Sequence, residues 1–235
     1  MKAALMQPYL FPYIGYFQLI CSADVFIFYD DVNFIKQGWI NRNRILLNGK
    51  EFMFTVPLES SSSFQQINGT KIKATAFEMW KGKFLATLKQ AYRKAPFYAD
   101  VIALAEDVLT IKQEDTAGEL AKRSVTAVCG YLEMETKINF TSAIFGNNHL
   151  KGQDRVIDIC KKINASEYIN MEGGKMLYDA EAFSKEGIKL SFLRPQTKHY
   201  KQFDFPFTDA LSILDILMFC SKNEIKEMTS KFELI

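Results

Sequence analysis

The sequence predicts an α/β fold, a mostly parallel sheet with flanking helices, to which a helical insertion and a helical C-terminal tail are added. Three observations predict it. The first thirty residues read as strand, loop, helix and strand; residues 136–193 run in β-α-β-α-β order; and residues 77–130 between them carry apolar residues at helical spacing. At 235 residues the chain fits a single α/β domain, 1–235, with 77–130 as a helical insertion or subdomain inside it, either a lid or a cover over one face of the sheet.

The elements follow in order. Ala3 to Met6 is a short apolar strand, and Pro8 and Pro12 make residues 7–12 a loop, because neither ring nitrogen can donate to a ladder. Tyr13 to Ile20 suits a short helix, and Asp24-Val-Phe-Ile-Phe-Tyr-Asp30 reads as a buried parallel strand bounded by acids. Asn48-Gly49 is a turn signal between Arg44-Ile-Leu-Leu47 and Glu51-Phe-Met-Phe-Thr-Val-Pro57, which predicts a hairpin. Residues 60–63 are a serine loop, and Ile67 to Lys73 alternates as an edge strand would. Helices are expected from Phe77 to Lys94, from Phe97 to Lys112 and from Thr116 to Gly130, their Leu, Val and aromatic stripes being core. Then come a strand at 137–140, a helix at 154–163, a strand at 167–170, a Gly173-Gly174 loop, a helix at 177–186 and a strand at 188–193. A loop rich in aromatics and charge, 194–208, leads to helices at 209–220 and 222–232, with Asp209 as N-cap and Ser212 in the first turn.

Composition removes several function classes. With 48% apolar and 14% aromatic residues the chain buries a substantial core, so it is not disordered. A net charge of +2, from 29 basic and 27 acidic residues, argues against a large nucleic-acid footprint. The apolar runs are too short for a membrane span, and the first one stops at Pro8, unlike a leader. Cys21, Cys129, Cys160 and Cys220 are scattered and suit reduced, buried thiols of a cytoplasmic protein. Two histidines and no CxxC give little for a transition metal to hold.

Candidate chemistry gathers at the carboxyl ends of the strands, where open α/β sheets bind ligands. Gln7 to Tyr16 leaves the first strand, and Tyr13-Ile-Gly15-Tyr16 has the outline of the HxGH element of nucleotidylyltransferases, with tyrosine in both histidine places. A phenol offers a hydrogen bond but no charge, so a phosphate there needs cations from elsewhere. Lys36, Arg42 and Arg44 are nearest in sequence, and Asn41-Arg42-Asn43-Arg44 suits bidentate recognition of phosphate or carboxylate. The same tyrosines would equally serve as core residues of an amphipathic helix. Asp30 and Asp31 end the second strand: they hold Mg²⁺, act as general base, or simply pair with Arg42 or Arg44. Gly173 and Gly174 bring backbone N–H groups to an anion or make a tight turn. Thr141-Ser142 and Asn147 to Lys151 follow the 137–140 strand at the same face, and His199 is a base, a substrate contact or a surface residue.

Gln7-Pro-Tyr9-Leu-Phe-Pro-Tyr-Ile-Gly-Tyr-Phe17, Tyr29-Asp-Asp-Val32, Lys36, Asn41-Arg-Asn-Arg44, Tyr168-Ile-Asn170, Gly173-Gly174 with Leu177-Tyr178, Gly187-Ile188 and Leu211-Ser-Ile-Leu-Asp215 together resemble the WbqC-like protein family over nearly the whole chain. Lys175 stands where the family pattern leads one to expect glutamine. The resemblance implies a bacterial cytoplasmic protein associated with loci for O-antigen, lipopolysaccharide or other surface glycans. It brings no established catalytic residue with it.

These readings combine into an expected transferase acting on a nucleotide-linked (amino) sugar, in which Asp30, Asp31 or His199 does chemistry. Gln7, Tyr9, Tyr13, Gly15, Tyr16, Lys36, Asn41, Arg42, Asn43, Arg44, Ser142, Gly173 and Gly174 bind substrate, and Mg²⁺ is the one cofactor foreseen. The alternatives are nucleotidyl transfer, on a Rossmann-like or nucleotidylyltransferase-like sheet, and a non-catalytic adaptor that binds a sugar nucleotide or an assembly enzyme.

Overall fold

The computed structural model describes residues 1–60, 62–112 and 114–235. Ser61 of the serine loop and Gln113 of the 77–130 segment lie outside the described residues. A six-stranded sheet runs in the order β5 (Lys137–Asn139), β2 (Val25–Phe28), β1 (Lys2–Met6), β6 (Glu167–Met171), β7 (Lys189–Pro195), β8 (Phe232–Leu234). All pairs are parallel except β7 with β8. From β1 the chain steps to β2 through α1 (Ile14–Ser22). From β5 it returns across β2 and β1 through α5 (Gly152–Lys162) to β6, and then through α6 (Ala180–Lys185) to β7.

Strand alternation divides the core between the two faces. Ala4, Phe26, Phe28, Ile169 and Leu193 point to one cluster, shared with α1 and with the helices α2 (Ala74–Tyr92), α3 (Tyr98–Val108), α4 (Ala117–Tyr131), α7 (Ile213–Phe219) and α8 (Lys222–Thr229). Ala3, Leu5, Val25, Ile27 and Tyr168 point to the other, against Val156, Ile159 and Phe183 of α5 and α6. Opposite directions of travel along the sheet thus use opposite faces, as right-handed crossovers require. Gln18, fully buried on α1, donates to the carbonyls of Gln196, Met228 and Lys231 and so ties the C-terminal tail to the first crossover.

The expected hairpin is present as β3 (Arg42–Leu47) and β4 (Lys50–Thr55), with both turn residues at positive φ, Asn48 at 52° and Gly49 at 73°. Several expectations need correction. Ile67 to Lys73 is not an edge strand: Thr70 bonds back to the Gln66 carbonyl and closes a 3₁₀ turn at Ile67–Gly69, leaving only isolated bridges from Lys71 and Ile72. The helix expected at 177–186 is a 3₁₀ turn at Glu172–Leu177 followed by α6, which starts where Asp179 accepts from Glu181 N–H. Ser212, not Asp209, caps α7; Asp209 bonds the next amide, at Ala210, whose φ of 52° breaks the chain out of helix there. The helix expected over 222–232 stops at Thr229, and Phe232–Leu234 pairs with β7 as β8. Of the cysteines three are buried and free, while Cys21 is free and exposed.

The loop between β1 and α1 is the most constrained stretch. Phe11 is wholly buried at φ 42°, a conformation that costs a non-glycine residue about 1–3 kcal/mol. Its N–H donates to Ser124 Oγ at 2.8 Å, and its carbonyl accepts from Ser212 Oγ and Asn43 Nδ2, each at 2.8 Å. Asn43 also donates to the Leu10 carbonyl at 2.9 Å, Leu10 N–H donates to the Trp39 carbonyl, and Pro12 accepts from Ile213 N–H. Behind it Asp215, fully buried, accepts from Tyr92, Tyr200 and Gln202; burial raises its pKa against the pull of those bonds. The hairpin, α4 and α7 therefore all hold one strained loop.

Replacing Asn43 with alanine removes two buried hydrogen bonds, and the Phe11 carbonyl keeps only Ser212 Oγ. Asn43→Ala is expected to cost about 2–4 kcal/mol in urea unfolding. Asn43→Asp, which turns an oxygen onto both carbonyls, should cost at least as much. A loss below about 0.5 kcal/mol for Asn43→Ala would show that the loop is held some other way.

Candidate functional site

Strand order reverses its direction between β1 and β6, and the residues that leave these strands part there to open a crevice. The cavity at that point has a volume of about 480 Å³. Met6, Gln7, Tyr9, Tyr13 and Tyr16 come to it from β1 and the pinned loop. Tyr29, Ile35 and Trp39 come from the segment after β2, and Asn170, Gly173, Gly174, Leu177 and Tyr178 from the end of β6 and the turn beyond. No charged side chain is among its lining residues. Desolvation raises the pKa of Tyr9, Tyr16, Tyr29 and Tyr178, and pushes that of Tyr13 to about 12, so at neutral pH these phenols are hydrogen-bonding groups and not bases. Tyr16 donates to the Gln7 carbonyl at 2.8 Å.

Two further hollows adjoin this chamber. One of about 490 Å³ shares Tyr29, Leu177 and Tyr178 with it and is polar, reaching Asp31, Asn33, Gln66, Lys151 and Arg155. The other, of about 130 Å³, shares Tyr9, Tyr13 and Trp39 and adds Asn43 and Arg44. Ile35 and Leu177, which line the chamber, stand 51% and 71% exposed and make part of its rim apolar.

The glycine of the Tyr13-Ile-Gly-Tyr motif has a local explanation. A Cβ on Gly15 would lie 2.4 Å from Cε2 of Tyr13, so the Tyr13 ring itself fills the space over the helix backbone that the motif would leave to a nucleotide base. Gly174 likewise lets the turn close on Asn170, whose Oδ1 would be 2.9 Å from a Cβ there. Asn170 is fully engaged, donating to Tyr168 and Tyr178 and accepting from Met171 N–H.

Asp30 and Asp31 do not pair with Arg42 or Arg44. They lie in the loop just beyond β2, and each meets a buried cation, Asp30 one from α4 and Asp31 one from α5. Asp30, 1% exposed, accepts from Lys122 of α4 at 3.0 Å, Thr141 Oγ1 at 2.7 Å and Ser142 N–H at 3.2 Å. Asp31, 7% exposed, accepts from Arg155 of α5 at 2.5 Å and from the Ser142 hydroxyl. Desolvation pulls Lys122 down, but its contacts with Glu119 and Asp30 outweigh this and leave its pKa above the ordinary lysine value. Arg155 also donates to Asn147 and lies over the Tyr29 ring, 4.9 Å from its centroid. Among the described residues no group of three His, Cys, Asp or Glu side chains could hold a metal ion.

The structure brings Gln7, Tyr9, Tyr13, Tyr16, Gly173 and Gly174 to the chamber, Asn43 and Arg44 to the small hollow and Asp31 to the polar one. Lys36, Asn41 and Arg42 line a separate depression with Phe34 and residues 55–58. Arg42 donates to the Gly38 carbonyl, and Arg44 pairs with Glu51 at 2.8 Å; both guanidiniums lie within 6 Å of the Trp39 ring centroid, at 5.9 and 5.8 Å. Asp30 and Ser142 are packed beneath the crevice, and exposed His199 stacks on Phe207 away from it. Sequence reasoning passed over Tyr29, Trp39, Lys122 and Arg155. A signal existed for the two cations: Lys122 falls in phase with the apolar Gly118, Ala121, Val125 and Cys129 of α4, and Arg155 sits in the buried stripe of α5 with Val156 and Ile159.

The model of the WbqC-like protein family matches residues 7–227. The chain belongs to the WbqC-like protein family. An uncharacterised protein of Mycobacterium tuberculosis is 29% identical over 219 residues, 92% of each chain. No solved structure gives a significant match. The match to this WbqC-like chain begins at Gln7, the first residue of the loop that walls the chamber. In the described residues no helix is long and apolar enough to cross a membrane.

Removing one partner of a buried pair leaves a bare charge. Arg155→Met should destabilise the protein by about 3–5 kcal/mol in chemical unfolding, and adding Asp31→Asn should restore a large part of that loss. Equal instability of the single and double variants would contradict a dominant Arg155–Asp31 pairing.

Proposed function

We propose that this protein binds a nucleotide-linked sugar in the crevice between β1 and β6 and acts on it as a transferase in bacterial surface glycan synthesis, passing an acyl or aminoacyl group to a sugar amine. The carrying observation is the aromatic, uncharged chamber of about 480 Å³ at the reversal of strand order, flanked by hollows that hold Arg44 on one side and Lys151 on the other. A volume of this size suits a nucleotide-sized ligand. Rings stack on Trp39 and the tyrosines, while phosphate charge is met beyond them. Glycan synthesis enters through the family resemblance, not through the geometry. In the reaction the sugar amine attacks the acyl carbonyl, the thiol or hydroxyl of the donor leaves, and the amine proton is lost to a base.

A second reading, a binding protein without turnover, is favoured by one feature. The carboxylates of Asp30 and Asp31 are already committed to Lys122, Arg155, Thr141 and Ser142, which leaves them poorly placed to take a proton.

The test is titration with uridine- and thymidine-diphosphate-linked sugars, with and without an amino group, followed by incubation with acyl thioesters and Mg²⁺ under mass-spectrometric detection. Saturable binding plus an acylated sugar is the expected result. Binding without product leaves the adaptor reading, and absence of binding by every sugar nucleotide contradicts both. Trp39→Ala is expected to weaken binding at least tenfold at unchanged fold, read by calorimetry.

A further inference from the structure

Gln7 is the first residue beyond β1, and its side chain lines the chamber. Its Oε1 has almost no accessible surface and no hydrogen-bond partner among the described residues, so a ligand in the chamber reaches it once the carboxamide turns about its terminal bond. Leaving a buried acceptor without a donor costs about 1–3 kcal/mol. The other atom in this condition, Oε1 of Gln18, belongs to a side chain whose amide stitches three carbonyls of the tail together and which lines none of the cavities described above. Gln7 plays no comparable structural part. Its carbonyl accepts from Tyr16, but its carboxamide ties no elements together.

The surroundings restrict what could satisfy it. Asn170, the other carboxamide of the chamber, is already saturated by Tyr168, Tyr178 and Met171. Tyr13 is pressed against Gly15 and Trp39 is braced under two guanidiniums, so the walls beside Gln7 are rigid aromatic surfaces. An anion seated here would have no cation among the lining side chains, whereas a flat, neutral ring would stack on them. A carboxamide shows an acceptor and a donor side by side, and its complement is a ring edge with an N–H next to an acceptor.

From these observations we infer that Gln7 is a specificity-determining residue: its carboxamide reads the hydrogen-bonding edge of a nucleobase that lies in the tyrosine-walled chamber. The base therefore occupies the chamber, and the phosphates and sugar extend into the adjoining hollows. This assignment rests on the proposed binding of a nucleotide-linked sugar and adds which part of that ligand is recognised, and by what.

The experiment compares wild type, Gln7→Met, Gln7→Glu and Gln7→Asn by calorimetric titration with the four common ribonucleoside diphosphates, their parent nucleosides and a uridine-diphosphate sugar. Wild type is expected to rank the bases. Gln7→Met, which keeps the length but loses both hydrogen-bonding groups, should weaken the preferred base at least tenfold and flatten the ranking. Gln7→Glu presents acceptors only, and should move preference towards guanine, whose edge carries two adjacent N–H donors. Should Gln7→Met fail to fold, judged by its melting temperature, Gln7→Asn supplies the same comparison with the groups withdrawn by one methylene. Tight binding of the sugar nucleotide with base ranking unchanged in all variants overturns the role of Gln7 and leaves the proposed function standing. Gln7-dependent binding of nucleosides that is no tighter for the sugar-linked form supports the role of Gln7 and overturns the proposed function. Failure of every nucleoside and nucleotide to bind overturns the inference.

Discussion

Phe11 sits in a left-handed conformation between two prolines, and Asn43 reaches across from the hairpin to hold it there. The backbone arrangement alone is unfavourable by about 1–3 kcal/mol. It persists because four separate elements over-determine it: Asn43 of β3, Ser124 of α4, Ser212 at the start of α7, and the Trp39 carbonyl. Burial of the Phe11 side chain adds roughly 1.5–3 kcal/mol in favour. The consequence is a loop that leaves β1 in one defined path and presents Gln7, Tyr9 and Tyr13 to the same hollow. A loop held so thoroughly keeps one shape, as the proposed binding of a ligand requires.

A second constraint works below the crevice. Two successive carboxylates just beyond β2 meet different cations, one Lys122 and one Arg155, so that the inserted helix α4 and the crossover helix α5 are both anchored beside the same strand end. Buried pairs of this kind contribute modestly to net stability, since desolvation offsets much of the attraction. Their effect here is positional. They fix Tyr29, which follows β2 and lies under the Arg155 guanidinium, between the uncharged chamber and the polar hollow.

Much of this architecture was legible in the sequence because it follows from periodicity and turn chemistry. Apolar runs at 3–6, 24–30 and 188–193 could be little else but buried strands, and Asn48-Gly49 marked its hairpin. The loop of prolines and tyrosines was recognisable as a wall of the crevice, but its mechanism was not. The reason Gly15 is glycine is the Tyr13 ring two residues earlier, and the reason Asn43 matters is a pair of carbonyls more than thirty residues away. Asp30 and Asp31 looked reactive because they end a strand, and Arg42 and Arg44 were the partners that proximity in sequence offered for a purely structural role. The cations that answer them come from positions 122 and 155, a distance no local pattern encodes. His199 drew notice as a titratable imidazole after the last strand, and it is exposed and stacked on Phe207.

Three segments far apart in the chain, then, meet at the reversal of strand order and form one chamber, and the N-terminal loop is tied to the hairpin, α4 and α7. Hydrogen–deuterium exchange with and without a uridine-diphosphate amino sugar tests that convergence most directly. A shared chamber requires ligand-dependent protection in residues 7–17, 29–40 and 170–178 together, with little change in 194–208. Protection confined to the His199 segment, or to one of the three segments alone, would contradict it.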